Sequence, residues 1–206
     1  MLRVAIDDLV KEVRITLDEN AEQSSYLNES VENQDLDAII RAKLPEAARD
    51  VIDTAEVELL EPVAMQTTAT ANEWGGVLTV PADYLRFVSL KMKGWIRAVT
   101  ALAAEGSDIE LMQHNHYTRG TKSKPVCILS TDASGVKVIE YYGASAEVEK
   151  ALYMPIPAVV NEEGVDVLPI PVLLKQAIVK RAAGLTFLSR GEADLASLFL
   201  AYVKPN

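Results

Sequence analysis

The sequence predicts an α+β fold, in which a helical bundle carries an inserted small antiparallel β-domain and is preceded by an N-terminal helical arm. Apolar residues recur at helical spacing near both ends of the chain, within residues 31–63 and 171–206. Between them, residues 74–157 contain short runs of strand-type alternation separated by Gly-, Pro- and Asp-containing turns. We therefore expect an arm over residues 1–30 and a single domain over residues 31–206.

The arm begins with an amphipathic helix over residues 4–17, and the polar residues 18–30 that follow read as a linker. Its apolar stripe consists of Ile6, Leu9, Val10, Val13 and Leu17. We expect the stripe, through Ile6, Leu9, Val10 and Val13, to lie against another subunit or an adjacent ring and to order on binding. The alternative is that the arm packs on its own domain.

A second helix is predicted over residues 31–56, and Pro45 lies inside it. Proline removes a helical hydrogen bond and clashes one turn back, so the helix either kinks there or begins anew with Pro45 in its first turn. The apolar stripe continues through Pro45 without a change of phase. We therefore expect one kinked helix.

The central stretch Trp74–Val99 is predicted to form two strands joined by a bend at Pro81, in a hairpin. Gly75 and Gly76 are expected to break the chain before the first strand. The second strand alternates, with Val88, Leu90 and Met92 on one face and Ser89, Lys91 and Lys93 on the other. We expect Gly94 to end it and Trp95 to cover the end of the core.

The remainder of the β-rich region carries further local signals. Ser107 and Glu110 have the spacing of a capping box and predict a short helix. Residues 126–130 and 136–142 are typical of a β-hairpin. Residues 151–156 predict a further strand, and its prolines favour a position at a sheet edge.

Two helices are predicted at the C-terminus, separated by Gly191. The first, Val172–Leu188, is apolar around most of its circumference, which suggests an assembly element, and Ala182–Gly184 would let another helix approach closely. Lys175 and Arg181 interrupt its apolar surface and are candidate interface cations. The second helix has an apolar stripe of Leu195, Leu198, Phe199 and Tyr202.

Charge is distributed unevenly along the 206 residues, whose net charge is −10. Residues 1–66 contain sixteen acidic and six basic residues, whereas residues 84–124 contain seven basic and three acidic ones. This balance argues against non-specific binding to a nucleic-acid backbone, which requires a net basic surface. A turn-rich loop over residues 117–125 carries the candidate interface residues Arg119, Lys122 and Lys124.

The run LTVPADYLRFVSLKMKGW resembles the Pro-x-Asp-aromatic-Leu-Arg segment of the adaptor and tail-ring proteins of tailed bacteriophages. The flanking LPEAARDVIDTA, HNHYTRGTKSKPV and paired C-terminal helices agree, over roughly residues 30–200. The ring proteins of crAss-like phages and the tubular adaptors of short-tailed phages are the members it is most similar to.

The resemblance implies a non-enzymatic virion protein at the head-tail junction or in the tail, made in the host cytoplasm. It would form a homo-oligomeric ring, a dodecamer, between the portal and the adjacent tail or ring proteins. Such a ring forms part of the DNA channel, and DNA passes through it without sequence-specific binding. The resemblance implies no membrane partner. A head-completion protein or another virion connector is the alternative. The basic loop would then dock on a neighbouring virion protein.

An alternative of another class is a metal-dependent enzyme that uses His114 and His116, although no third ligand is evident. Asp83 and Arg86 favour a local salt bridge or a turn hydrogen bond over catalysis. Cys127 stands in an apolar run typical of a buried strand, which favours a structural thiol. No motif predicts a cofactor, and no apolar run has the length of a membrane span.

Overall fold

The computed structural model describes residues 1–20 and 31–201, which form a mixed α+β structure with five helices and three mostly antiparallel sheets. In chain order the elements are β1 (Leu2–Ala5), α1 (Ile6–Asn20), α2 (Val31–Thr54), β2 (Val63–Ala64), β3 (Ala69–Ala71), β4 (Gly75–Thr79), β5 (Tyr84–Met92), β6 (Ala103–Ala104), α3 (Asp108–Gln113), β7 (Val126–Thr131), β8 (Lys137–Tyr142), β9 (Val148–Pro155), β10 (Val160–Glu162), β11 (Val165–Ile170), α4 (Lys175–Ser189) and α5 (Ala193–Ala201). The chain divides into two compact units. The terminal unit comprises residues 1–61 and 156–206, and the central unit comprises residues 62–155.

In the terminal unit, helix α4 contacts α1, α2 and α5. Its buried side chains include Ile178, Val179, Leu185 and Phe187. Because helices surround α4 on several sides, its nearly all-round apolar surface is used within this unit. The apolar character that suggested an assembly element is therefore explained by the core of the unit itself.

The N-terminal segment also belongs to this unit. Strand β1 pairs antiparallel with β11, which pairs in turn with β10. The side chains of Ile6, Leu9, Val10 and Val13 are buried. The prediction that these four residues lie against another subunit is therefore wrong, since the apolar stripe of α1 packs among α2, α4 and β11. Residues 21–30 of the expected linker lie outside the described residues.

Helix α2 continues through Pro45 as a single helix, as its uninterrupted stripe predicts. Ile40, Leu44 and Val51 of that stripe are buried. The side-chain hydroxyl of Thr54 donates to the carbonyl oxygen of Asp50 at 2.9 Å and satisfies one acceptor in the last turn.

The close contact between α4 and α5 confirms the role expected of the small residues. A Cβ added at Gly184 would lie 2.9 Å from a side-chain carbon of Leu200 and 3.0 Å from Cβ of Phe199. Gly191, at φ 82°, ends α4, and the Glu192 amide donates back to the carbonyl oxygen of Phe187 at 3.0 Å. The stripe of α5 differs from the expected one, because Ala196 and Phe199 are buried and Leu198 is exposed. Tyr202 lies outside the described residues.

The central unit contains two sheets, with strand orders β2-β9-β5 and β3-β4-β8-β7-β6. Side chains from both sheets form one core, which includes Leu78, Leu90, Met92, Trp95, Cys127, Ile139, Tyr141 and Tyr153. Strands β7 and β8 form the expected hairpin. Val88, Leu90 and Met92 are the buried face of β5, as the alternation predicts.

Two predictions about strand pairing in this unit are wrong. Strands β4 and β5 do not form a hairpin, because the turn after Pro81 sends the chain into the other sheet, where β5 pairs with β9. Strand β9 is the middle strand of its sheet rather than an edge. Its proline, Pro155, is tolerated because it is the last residue of the strand, opposite Tyr84.

Gly75 and Gly76 lie inside β4 and do not break the chain before it. A Cβ at Gly75 would lie 1.8 Å from the carbonyl oxygen of Tyr141, and one at Gly76 would lie 2.5 Å from the Tyr141 hydroxyl. Glycine is therefore required here for close packing of β4 on β8.

Candidate interaction surface

Helix α3 positions an exposed surface of the central unit. Ser107 caps the helix, as predicted, and its hydroxyl accepts from the Glu110 amide at 3.4 Å. Gln113 is the buried residue of α3, whereas Ile109, Leu111 and Met112 are exposed. Most apolar side chains of this short helix lie in solvent and do not pack on the core of the central unit. These side chains are therefore available to a partner.

The buried amide of Gln113 ties the following loop to α3. Its Nε2 donates to the carbonyl oxygen of Ile109 at 2.6 Å, and its Oε1 accepts from the Gly120 amide at 2.8 Å. The Arg119 Nε donates to the backbone carbonyl of the same Gln113 at 2.7 Å. Because a buried polar group is costly to leave unpaired, these bonds fix the start of the basic loop.

An aromatic cluster lies beside this anchor. The Arg119 guanidinium stacks 4.2 Å from the ring centroid of Trp74, and the His116 ring lies edge-on at 6.0 Å from the same indole. The Tyr117 ring lies 5.6 Å from His116, and this tyrosine is 93% exposed. The loop therefore presents a large aromatic side chain on an ordered base.

The cationic part of the surface joins two neighbouring segments. The Ile96 amide donates to the carbonyl oxygen of Lys122 at 3.0 Å, which places the turn after Trp95 against the basic loop. Ile96 is 77% exposed, and Arg97, Lys122 and Lys124 of the same two segments are also exposed. These three cations make no ion pair within residues 1–20 and 31–201.

We call this surface the aromatic–basic face and define it by Trp74, Ile96, Arg97, Met112, Tyr117, Arg119, Lys122 and Lys124. Aromatic side chains, methionine and arginine are enriched in protein-protein interfaces, whose apolar centre is bordered by a polar rim. The face is therefore a candidate site for a partner that combines apolar and negatively charged side chains.

Sequence reasoning found part of this surface. The structure brings Arg119, Lys122 and Lys124 together on one loop, as predicted, although Arg119 is held by Trp74 and Gln113. The sequence missed Ile96 and Arg97. The sequence feature that could have identified them is their position just after Gly94, past the end of the predicted strand. Residues in such a turn are typically exposed.

Lys175 and Arg181 belong to the terminal unit and are not part of the aromatic–basic face. The Lys175 ammonium contacts Glu12 at 2.5 Å, and the Arg181 guanidinium contacts Asp50 at 2.6 Å. Both candidate interface cations therefore neutralise acids of their own unit. The expectation that they are available to a partner is not met.

The residues with reactive side chains have ordinary structural surroundings. Within the described part of the chain, no three His, Cys, Asp or Glu residues are grouped so that they could hold a metal ion, and His116 contacts aromatic rings. Burial raises the pKa of the Cys127 thiol to about 12, as befits a thiol inside a core. The Asp83 carboxylate accepts from the Tyr153 hydroxyl at 3.0 Å.

Of the described helices, none combines the length and the apolar character required to cross a membrane. No protein-family model matches the chain, and a search of curated proteins found no match.

Proposed function

We propose that the chain is a structural virion protein, the subunit of a homo-oligomeric ring that connects the portal of a bacteriophage head to the tail. In this proposal the terminal unit is the helical bundle of the connector and the central unit is its inserted β-domain. The ring forms part of the DNA channel. The resemblance of the Pro81–Arg86 segment to phage adaptors supports this class of protein.

The packing of that segment supports a scaffold role. Asp83 accepts a hydrogen bond from the Tyr153 hydroxyl, and the Tyr84 ring stacks on the Tyr153 ring at 6.2 Å. Burial raises the pKa of Tyr84 to about 12. The polar groups of the motif are thus used to fix β5 on β9, which is a structural use of these residues.

The observation that carries the assembly part of the proposal is the aromatic–basic face. Large apolar side chains such as Ile96 and Tyr117 lie in solvent beside cations that have no ion-pair partner in the described residues. A surface of this kind loses unfavourable contact with water when a second protein covers it. A ring subunit requires such a surface.

The charge of the chain supports passage of DNA rather than its retention. The net charge of −10 repels the phosphate backbone at the scale of the whole subunit. A channel built from such subunits has little affinity for DNA of any sequence, because non-specific binding depends on phosphate neutralisation by lysine and arginine.

The experiment is native mass spectrometry of the purified full-length chain over a series of concentrations, with negative-stain electron microscopy of the same samples. We expect a closed ring, with twelve copies as the resemblance implies. A chain that stays monomeric up to its solubility limit would contradict the proposed function. A closed ring of another copy number would keep the function and revise the stoichiometry.

A further inference from the structure

The excess negative charge belongs to one of the two units. Residues 1–61 and 156–206 contain 21 acidic and 11 basic residues, a difference of −10, whereas residues 62–155 contain nine of each and are neutral. The central unit therefore carries the unpaired cations of the aromatic–basic face, and the terminal unit carries the whole negative excess. Two surfaces of opposite sign on one chain are what a head-to-tail contact between copies can use.

One segment of the terminal unit presents acids that remain unpaired. Asp53, Glu56 and Glu58 are exposed and make no ion pair with any residue that the structure describes. Val57, between two of them, is also exposed. We call residues 53–58 the acidic segment.

The position of the acidic segment makes its charge unfavourable in a single copy. It lies at the C-terminal end of α2, whose last turn contains no basic residue. The C-terminal end of a helix carries a partial negative charge, so acidic side chains there are repelled and a cation from outside is favoured. A basic partner surface would relieve that repulsion.

We propose that the aromatic–basic face of one copy binds the acidic segment of the next copy in the ring. The inference rests on the proposed function and names the contact that closes the ring. Val57 would contact the apolar side chains of the face, with Glu56 and Glu58 opposite Lys122 and Lys124. One surface meets a different surface, which is the heterologous contact that a cyclic ring requires.

The apolar residues and the charges have separate roles in this contact. Ile96 and Tyr117 offer the exposed area whose burial provides affinity. Exposed ion pairs add little affinity, but they set the orientation of the partners and speed their association. Association should therefore weaken as salt concentration rises, since salt screens exposed charges.

Charge reversal tests the contact. The variant Lys122→Glu with Lys124→Glu, and separately Glu56→Lys with Glu58→Lys, should each associate at least about tenfold more weakly than wild type at low salt. All four changes in one chain should restore association, and so should a mixture of the two double variants. The readout is native mass spectrometry with light scattering, and thermal melting checks that each variant is folded.

A matched control changes the same charge elsewhere in the central unit. Lys137→Glu with Lys150→Glu alters two exposed lysines outside the face. Lys137 lies five residues along β8 from Tyr142, which pairs with Val126 at the end of the basic loop, and this separation is about 16 Å. The control variant should associate as wild type does.

The outcomes separate this inference from the proposed function. If wild type forms a ring and both reversed variants form it equally well, the assigned contact is wrong and the ring remains. If the control weakens association as much as the reversals do, the effect is one of net charge and the contact is again overturned. If wild type and the mixture both stay monomeric, the proposed function itself fails.

Discussion

The guanidinium carbon of Arg119 lies 4.2 Å from the ring centroid of Trp74, and the Nε of the same side chain donates to the carbonyl oxygen of Gln113 at 2.7 Å. Arg119 therefore connects an exposed indole to the buried end of α3. Of the three basic residues predicted on this loop, it is the one whose role is to hold the loop in place. Lys122 and Lys124 are exposed and make no ion pair with a residue that the structure describes.

Substitution of Arg119 should thus affect the stability of the loop. We expect Arg119→Ala to lower the free energy of unfolding by about 1–2 kcal/mol, from the lost cation-π contact and the lost hydrogen bond. Lys122→Ala is the control and should change it by less than about 0.5 kcal/mol. Acrylamide quenching of fluorescence reads out Trp74, since Trp95 is buried, and quenching should increase in Arg119→Ala only. Equal quenching in both variants would contradict the anchoring role.

Gly75 is the position in β4 where a side chain is least tolerated. A Cβ there would lie 1.8 Å from the carbonyl oxygen of Tyr141, a backbone atom that cannot move without breaking the β4–β8 pairing. We expect Gly75→Ala to destabilise the central unit by more than about 3 kcal/mol. Gly135→Asn, in the turn between β7 and β8, is the control, because its Cβ meets open space and asparagine tolerates positive φ. Similar melting temperatures for the two variants would refute this packing.

The sequence predicted the elements better than their partners. The alternation in residues 87–93 and the helical stripe around Pro45 identify a strand and a helix because both signals are local. Pairing is not local. No local sequence signal before Pro81 predicts that β4 pairs with β8 and β5 pairs with β9. Strand pairing depends on contacts between residues that are far apart in the chain.

The candidate interaction surface was predictable in charge and not in shape. Arg119, Lys122 and Lys124 were found because a cluster of cations in a turn-rich run predicts exposure. The N-terminal stripe failed as an interface because an amphipathic helix has the same sequence whether its apolar face meets its own core or another chain. The burial of Leu9 and Val13 in a helix that contacts α2 and α4 shows that the apolar face packs on its own unit. This information is present in the tertiary structure and not in the sequence pattern.

Helix α1 carries both buried and exposed apolar side chains. Leu9 is 0% exposed, whereas Ile15 of the same helix is 57% exposed. Leu9→Ala should lower the free energy of unfolding by about 2–5 kcal/mol, because it leaves a cavity in the terminal unit. Ile15→Ala should change it by less than about 0.5 kcal/mol. Urea denaturation of both variants checks the prediction. If Leu9→Ala were neutral in stability and impaired only assembly, the original interface interpretation would be restored.

Cys127 should make the central unit less stable at alkaline pH. Burial raises the pKa of its thiol from 9.0 to about 12. Below pH 9 the thiol is neutral in both the folded and the unfolded chain, so it adds no pH dependence. Between pH 9 and 12 the unfolded chain releases this proton while the folded chain retains it. The unfolded state then binds fewer protons, and stability falls as pH rises, with a slope of up to about 1.4 kcal/mol per pH unit.

The variant Cys127→Ala isolates that contribution. Near neutral pH it should be less stable than wild type, because a buried side chain is shortened inside the core. The difference in free energy of unfolding between the two proteins should then narrow from pH 9 upward, because only wild type has a thiol that ionises more readily in the unfolded chain. Tyr84→Phe is the matched control, because burial raises the pKa of the Tyr84 phenol from 10.0 to about 12. The stability of wild type relative to this variant should therefore begin to fall about one pH unit higher than its stability relative to Cys127→Ala. Urea denaturation at each pH measures both differences. A difference between wild type and Cys127→Ala that stays constant from pH 7 to 11 would show that the thiol ionises as readily in the folded chain as in the unfolded one, and would place Cys127 outside the core.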